Sequence, residues 1–371
     1  MKLSVPKTVF LKSVSISLKA VPSKTTMPIL ECILIDATTN QIKFTTNDME
    51  LGIETIVNGT IAEKGMVALD AKIFYEIIRR LPDNDVTIKT DDKFTATITC
   101  EKAKFNIPGK SGEDFAYLPL IEREESLTLS QYTLKEMIRQ TIFSIAVNEN
   151  NKLMTGELFE IKDNCLKVVS LDGHRIAIRK MPLKRTYSDR KVVVPGKTLN
   201  EISKILSGEM DDMVSIFFTK NHILFEFDQT MVVSRLIEGE YFRIEQMLSS
   251  DYETKLSINK KEFLDCIDRA TLLVREGDKK PIIIHITDNN MELKIDSAMG
   301  SMNEEIDIEK EGKDILIGFN PKFLIDALKV IDDEMINIYL VNPKAPCFIR
   351  DDEENYTYLI LPVNINQNQA R

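Results

Sequence analysis

The chain has 371 residues, 43% apolar and 29% charged, a composition typical of globular proteins and a length that suggests two to three domains. It contains no run of ~18 apolar residues, and Met1-Lys2-Leu3-Ser4-Val5-Pro6 lacks the apolar core of a signal peptide, so a cytoplasmic location without membrane contact is expected. Forty-eight basic against 58 acidic residues give a formal charge of −10, which as a total opposes nucleic-acid binding and leaves the question to how the charge is distributed.

Taken in chain order, one pattern occurs six times: a short apolar strand, a helix-starting residue, and a helix with a large apolar side chain four residues later. The first unit is Leu3-Ser4-Val5-Pro6 with Phe10 and Val14, and the second is Val67-Ala68-Leu69-Asp70 with Phe74, Ile77 and Ile78. Leu127-Thr128-Leu129-Ser130 leads to Leu134, Met137 and Ile138, and Val192-Val193-Val194-Pro195 leads to Leu199 and Ile202. Leu256-Ser257-Ile258-Asn259 precedes Phe263 and Ile267, and Ile317-Gly318-Phe319-Asn320 precedes Leu324 and Leu328. The starting residues Pro6, Asp70, Ser130, Pro195, Asn259 and Asn320 recur every 60–65 positions. Asp, Ser and Asn accept the unpaired amide hydrogens of a first helical turn, and Pro has none to satisfy there. Strand-like alternation follows each helix, as in Thr97-Ile98-Thr99-Cys100, Leu166-Lys167-Val168-Val169 and Leu293-Lys294-Ile295-Asp296.

A unit of ~60 residues with a single helix has a thin core, so the units are expected to pair. Pairing in order predicts an α+β protein of three similar domains, near residues 1–124, 125–253 and 254–371, each with two helices packed on antiparallel sheet. The polar stretches Glu122-Arg123-Glu124-Glu125 and Ser249-Ser250-Asp251-Tyr252-Glu253 fit as joins.

Basic residues recur in register on these helices. Lys72, Lys197, Lys261 and Lys322 stand two positions past the cap, and Arg79, Arg139, Lys204 and Lys329 nine positions past it. Residues seven apart share a helix face, so Lys72/Arg79, Lys197/Lys204 and Lys322/Lys329 form ridges opposite the core stripe, with Arg80 beside the first. Lys12 and Lys19 keep the spacing in the first unit; the fifth, with Asp265, Asp268 and Arg269, fits least well. Any solvated helix can carry lysines, but recurrence in register within an acidic chain points to a phosphate-facing surface. Around a duplex ~20 Å wide, helices ~10 Å across would sit at a radius of ~20 Å, where about twelve fit; one chain supplies six, and two would close a ring.

Three segments, Thr26-Met27-Pro28-Ile29-Leu30, Thr45-Thr46-Asn47-Asp48-Met49-Glu50 and Leu171-Asp172-Gly173-His174-Arg175-Ile176, together with the three-domain period, make the chain resemble the bacterial DNA polymerase III beta subunit family, the sliding clamps, over essentially its whole length. The resemblance implies the DNA clamp fold, a head-to-tail homodimeric ring around double-stranded DNA, and a non-catalytic role in DNA replication as a processivity factor. It implies loading by an ATP-driven clamp loader and docking of the DNA polymerase III alpha subunit and other proteins with a clamp-binding motif. Matched to the family, the partner-peptide pocket would comprise Met154, Leu171, Gly173, His174, Arg175, Ile176, Phe242, Met247, Leu359, Ile360, Leu361, Pro362 and Val363. By the same matching, Phe105 and Ile107 would meet Leu272 and Leu273 of a second copy, and Lys24 would touch DNA. The sequence departs from the family at Glu240-Tyr241-Phe242-Arg243, where many relatives have an aromatic followed by Pro, and at Asn364, two positions after Pro362, where an Arg is common.

No catalytic constellation is evident. His174, His222 and His285 lie in different units, and no glycine-rich phosphate loop occurs among the 14 glycines. Cys32, Cys100, Cys165, Cys266 and Cys347 form no Cys-x-x-Cys pair, so reduced, mostly buried thiols are expected, without metal or cofactor. The rival reading is an open repeat scaffold that binds peptides without encircling DNA; it shares the repeats but leaves the basic ridges unexplained.

Overall fold

The computed structural model describes residues 1–147, 150–249, 251–274 and 280–365. Among these lie six α-helices, each with no more than one residue between it and the preceding strand: α1 (Lys7–Ser17), α2 (Ala71–Arg80), α3 (Gln131–Arg139), α4 (Gly196–Ile205), α5 (Lys260–Thr271) and α6 (Pro321–Leu328). The expected caps operate. Asp70 Oδ1 accepts from Ile73 N–H at 2.8 Å, Ser130 Oγ from Thr133 N–H at 3.1 Å, Asn259 Oδ1 from Glu262 N–H at 3.1 Å and Asn320 Oδ1 from Lys322 N–H at 3.0 Å. Pro6 makes no side-chain cap; the next amide, Lys7 N–H, donates to Asn84 O instead. Every residue assigned to a core stripe, from Phe10 and Val14 to Leu324 and Leu328, is buried.

Spatially the chain forms two compact units, residues 1–135 with 200–236 and residues 136–199 with 237–371, so the middle third is divided between them. The sheets explain this division. In the first unit a nine-stranded antiparallel sheet runs from Gly109–Lys110 through Met66–Asp70, Cys32–Asp36, Ile42–Asn47 and Leu51–Val57 directly onto Thr230–Arg235, and ends with His222–Phe227, Met213–Phe218 and Ser126–Ser130. Strands on the two sides of the polar join at Glu122–Glu125 therefore pair in register, Ile53 with Val232 and Thr55 with Thr230, whose buried hydroxyls lie 2.9 Å apart. A five-stranded sheet, Thr60–Glu63, Lys2–Pro6, Asp85–Thr90, Ala96–Cys100 and Ala103–Ile107, completes this unit. Its core holds Phe10 stacked on Phe44 at 5.6 Å, with Phe74 edge-on to both.

The second unit repeats the arrangement. Its nine strands run from Arg190–Pro195 through Gly156–Lys162, Cys165–Leu171 and Arg175–Pro182 onto Tyr356–Ile360, then Cys347–Arg350, Met335–Leu340, Thr254–Asn259 and Glu309–Gly312. A four-stranded sheet has Gly300–Asp307 and Ile315–Phe319 as its edges. Helices α5 and α6 fill the space between through Phe263, Ile267, Leu324 and Leu328. No helix among the described residues is long and apolar enough to cross a membrane. The five cysteines are free thiols; four are buried and Cys165 is half-buried.

One core group breaks the apolar rule. Glu157, on Gly156–Lys162, is fully buried, and neither carboxylate oxygen has a hydrogen-bond partner. Desolvation drives its pKa well above the ordinary carboxylate range, and nearby Thr141 tempers the shift only in part. The folded chain thus keeps a proton that the unfolded chain releases near pH ~4.3. Stability from this group is complete below that pH and is lost as pH rises toward the folded pKa. Thermal melts should therefore show Glu157→Gln more stable than wild type at pH 8 and little different near pH 4; equal melting temperatures at both would place an ionised, compensated carboxylate there.

Candidate nucleic-acid and peptide interfaces

On α2, Lys72, Arg79 and Arg80 are exposed, opposite buried Phe74, Ile77 and Ile78. Glu76 stands among them and accepts from Arg79 at 2.7 Å and Arg80 at 2.9 Å. The Arg79 hydrogen bond is the main cause holding the Glu76 carboxyl below its usual range. The same pairing recurs on α3 and α4: Arg139 meets Glu136 at 2.6 Å, and Lys204 meets Glu201 at 2.7 Å. Arg139 also reaches Asp332 at 2.9 Å, which leaves its side chain 34% exposed. Lys197 and Lys322 are exposed on their helices, Lys24 is exposed in a loop, and Lys329 lies one residue beyond the end of α6 as its C-cap. On α5, Lys261 pairs with Asp265 at 3.0 Å, and Arg269 is drawn to Glu304 on Gly300–Asp307.

The ridges are therefore present as faces, but at the ninth position three of the four cations carry their own carboxylate. The acids beside these bases offset part of their charge. The signal was available: an acidic residue stands six past the cap in five units, as Glu76, Glu136, Glu201, Asp265 and Asp326.

The apolar surface implied by the family match lies on the second unit. Leu171, Ile176 and Leu359 are each at most 5% exposed and share one sheet face with Val169, Tyr241, Ile244 and Phe348. Half-buried Met154 and Phe242 pack at its margin, while Met247 and Leu361 are 53% and 38% exposed. Successive strand residues point to opposite faces, so within Leu359–Val363 the Ile360 side chain packs in the core on the other side, with Ala177 and Tyr358. Leu361 N–H then donates to His174 O at 2.9 Å and Val363 N–H to Gly318 O at 2.8 Å, which ties the chain beyond Pro362 to the edge strand Ile315–Phe319.

Arg175 pairs across the ladder with Ile360 and likewise leaves the apolar strip. Its guanidinium donates to Asp172 Oδ2 at 3.0 Å, Asp326 Oδ2 at 2.7 Å and Phe143 O at 2.6 Å, between the rings of Phe323 and Phe143 at 4.6 and 5.4 Å. Asp172 Oδ1 in turn accepts from the amides of His174 and Arg175, and Gly173 at φ +84° supplies the left-handed residue that the turn requires. The Asp-Gly-His-Arg segment is thus a braced turn; His174 is exposed, its ring 5.9 Å from that of Phe323. In Glu240-Tyr241-Phe242-Arg243 the second aromatic, Phe242, packs edge-on against Tyr241 at 5.6 Å, and buried Tyr241 donates to Val169 O at 3.4 Å.

The strand Ala103–Ile107 is the open edge of the five-stranded sheet, with Phe105 40% exposed and Ile107 half-buried against its own core. Leu272, just past α5, is 78% exposed, whereas Leu273 packs against the core of its own unit. Of the four residues assigned to a subunit contact, Phe105 and Leu272 are the ones left bare. Among the described residues no cluster of His, Cys, Asp or Glu could hold a metal ion.

Comparison with known proteins covers the whole chain. Models of the DNA polymerase III beta subunit match its N-terminal domain to residues 1–119, its central domain to 128–242 and its C-terminal domain to 245–364. The beta sliding clamp of Staphylococcus aureus is 34% identical over 98% of this chain and 99% of its own length. A putative DNA polymerase III beta subunit from Eubacterium rectale superimposes with a TM-score of 0.96 at 70% identity, covering 98% of this chain and 100% of that one. The DNA polymerase sliding clamp of Bacillus subtilis gives 0.95 at 33% identity, covering 99% and 100%.

Removing the Arg175 side chain would leave Asp172 and Asp326 without their shared cation. Arg175→Ala is expected to lower unfolding free energy by about 3–5 kcal/mol, as for a broken buried pair. Denaturant titration checks this, and a loss under 1 kcal/mol would mean that solvent replaces the guanidinium without cost.

Proposed function

Because the chain belongs to the DNA polymerase III beta subunit family, the beta sliding clamps, we propose that the exposed bases of its repeated helices face duplex DNA inside a ring of two copies. The protein is the non-catalytic clamp that gives the replicative polymerase its processivity in DNA replication, and the open repeat scaffold is not favoured. Three domains near residues 1–124, 125–253 and 254–371, a cytoplasmic location, the DNA polymerase III alpha subunit and the clamp loader as partners, and the apolar strip around Leu171, Ile176 and Leu359 as the docking place for their peptides all belong to this reading.

The observation that carries it is the recurrence of exposed cations opposite the core stripe: Lys72 with Arg79, Lys197 with Lys204, and Lys322 with Lys329. Nothing in this pattern reads bases. Lysine and arginine heads on a solvated face meet phosphates, and contacts to phosphate are indifferent to sequence and weakened by salt. Reversal of Lys72, Arg79, Lys197 and Lys204 to Glu should reduce retention on circular duplex after loading at least tenfold, alike for all sequences, and leave the dimer intact. Normal retention of that variant, or a preference of the wild type for one base sequence, would remove these helices from the DNA surface.

Closure of the ring is assigned to two sheet edges. Ala103–Ile107 and Gly300–Asp307 each present unpaired backbone groups, and such edges template pairing with another strand. The first carries Lys102 and Lys104 at or beside it, the second Glu304, Glu305 and Asp307, so a head-to-tail meeting of two copies brings opposite charges together. Leu272, exposed near the acidic edge, is the cleaner probe, because Leu273 already serves its own core. Light scattering should find Leu272→Asp monomeric at micromolar concentration, with an unchanged circular dichroism spectrum; a persistent dimer would move the contact elsewhere.

A further inference from the structure

Glu76–Arg79, Glu136–Arg139 and Glu201–Lys204 close at 2.7, 2.6 and 2.7 Å, each with the acid six and the base nine residues past its helix cap. The acids at the same place in α5 and α6 are also engaged, Asp265 by Lys261 at 3.0 Å and Asp326 by Arg175 at 2.7 Å. Exposed pairs of this kind add little to helix stability, so stability alone does not call for the same arrangement at equivalent positions of several helices. Their effect on a bound polyanion is larger. Helix α2 carries three bases and one acid, and α4 two bases and one acid, so each ridge offers less free charge than its bases suggest.

We propose that Glu76 and Glu201 are positioning residues for the DNA-facing cations: they hold the heads of Arg79 and Lys204 along the helix, compete with phosphate for them, and so limit how firmly the ridges grip a duplex. The inference rests on the DNA reading of the ridges. A phosphate that binds Arg79 replaces one anion by another, so the contact gains little and is given up as readily. A cation alternating between an internal carboxylate and successive phosphates suits a ring that must move along DNA while remaining on it. Arg139 is held by Asp332 as well as Glu136 and would not be freed by removing one acid, so it stands outside the test.

The test uses the full-length dimer with Glu76→Gln and Glu201→Gln together and singly. Glutamine keeps the shape and helix propensity, and melting curves with light scattering confirm fold and dimer. Binding to a linear duplex without a loader is measured across salt concentrations, and movement on a loaded duplex is followed by single-molecule tracking. Each exposed pair shifts such an equilibrium by about 1.4- to 5-fold, so the two pairs of each copy that meets the duplex should tighten binding on the order of 2- to 25-fold at low salt. The double variant's log–log salt slope should steepen by roughly 0.9 for each freed cation that meets a phosphate, and its diffusion along DNA should slow. The control pair Glu63→Gln and Glu311→Gln makes the same charge change on strands outside the helices and should leave the slope unchanged. An unaltered slope in the Glu76/Glu201 variant, with binding still lost on reversal of the four bases, overturns the inference alone. An equal effect of the control pair overturns it too, by reducing it to net charge. If reversal of the bases also changes nothing, the DNA reading of the ridges itself fails.

Discussion

Backbone hydrogen bonds between Leu51–Val57 and Thr230–Arg235, and between Arg175–Pro182 and Tyr356–Ile360, carry two sheets past the joins between the sequence repeats. Without them four strand edges would lie open to solvent, each a template for unwanted pairing. With them, each compact unit gains a nine-stranded sheet that no single third of the chain could build. The turn before Arg175, the apolar strip beside Leu359 and the tether from Leu361 to His174 all depend on the second of these pairings.

Much of this was legible in the sequence, for local reasons. Caps and apolar stripes act within one or two turns of helix, so Asp70, Ser130, Asn259 and Asn320 and the buried residues after them could be read directly. The pairing of Thr55 with Thr230 could not, because ladder hydrogen bonds are made by backbone groups that every residue possesses. Resemblance named Leu359–Val363 as a block, and the two-residue strand period divides its side chains, with Ile360 in the core beside Ala177 and Tyr358. Resemblance supplied Arg175 as a pocket residue; it could not say that the guanidinium turns away to join Asp326, 151 positions later in the chain. Leu272 and Leu273 look interchangeable as letters, and only packing separates the bare one from the one partly covered by its own core.

Charge follows the same division between count and placement. A chain of formal charge −10 presents cations on repeated helices and then seats acids among them. Screening limits exposed charges to a reach of about 8–10 Å, so the total matters less to a bound polyanion than the residues on the face it meets. Glu157 shows the opposite limit: with its charged form penalised by burial, a carboxyl in the core persists by keeping its proton.

Arg175 divides its planar fork among three acceptors and lies over the rings of Phe143 and Phe323. Lysine offers the same charge from a single point on a flexible stem, without a plane to stack or a fork to divide among acceptors. A lysine at position 175 would therefore keep the charge and lose the geometry, although the side chain lies outside the apolar strip.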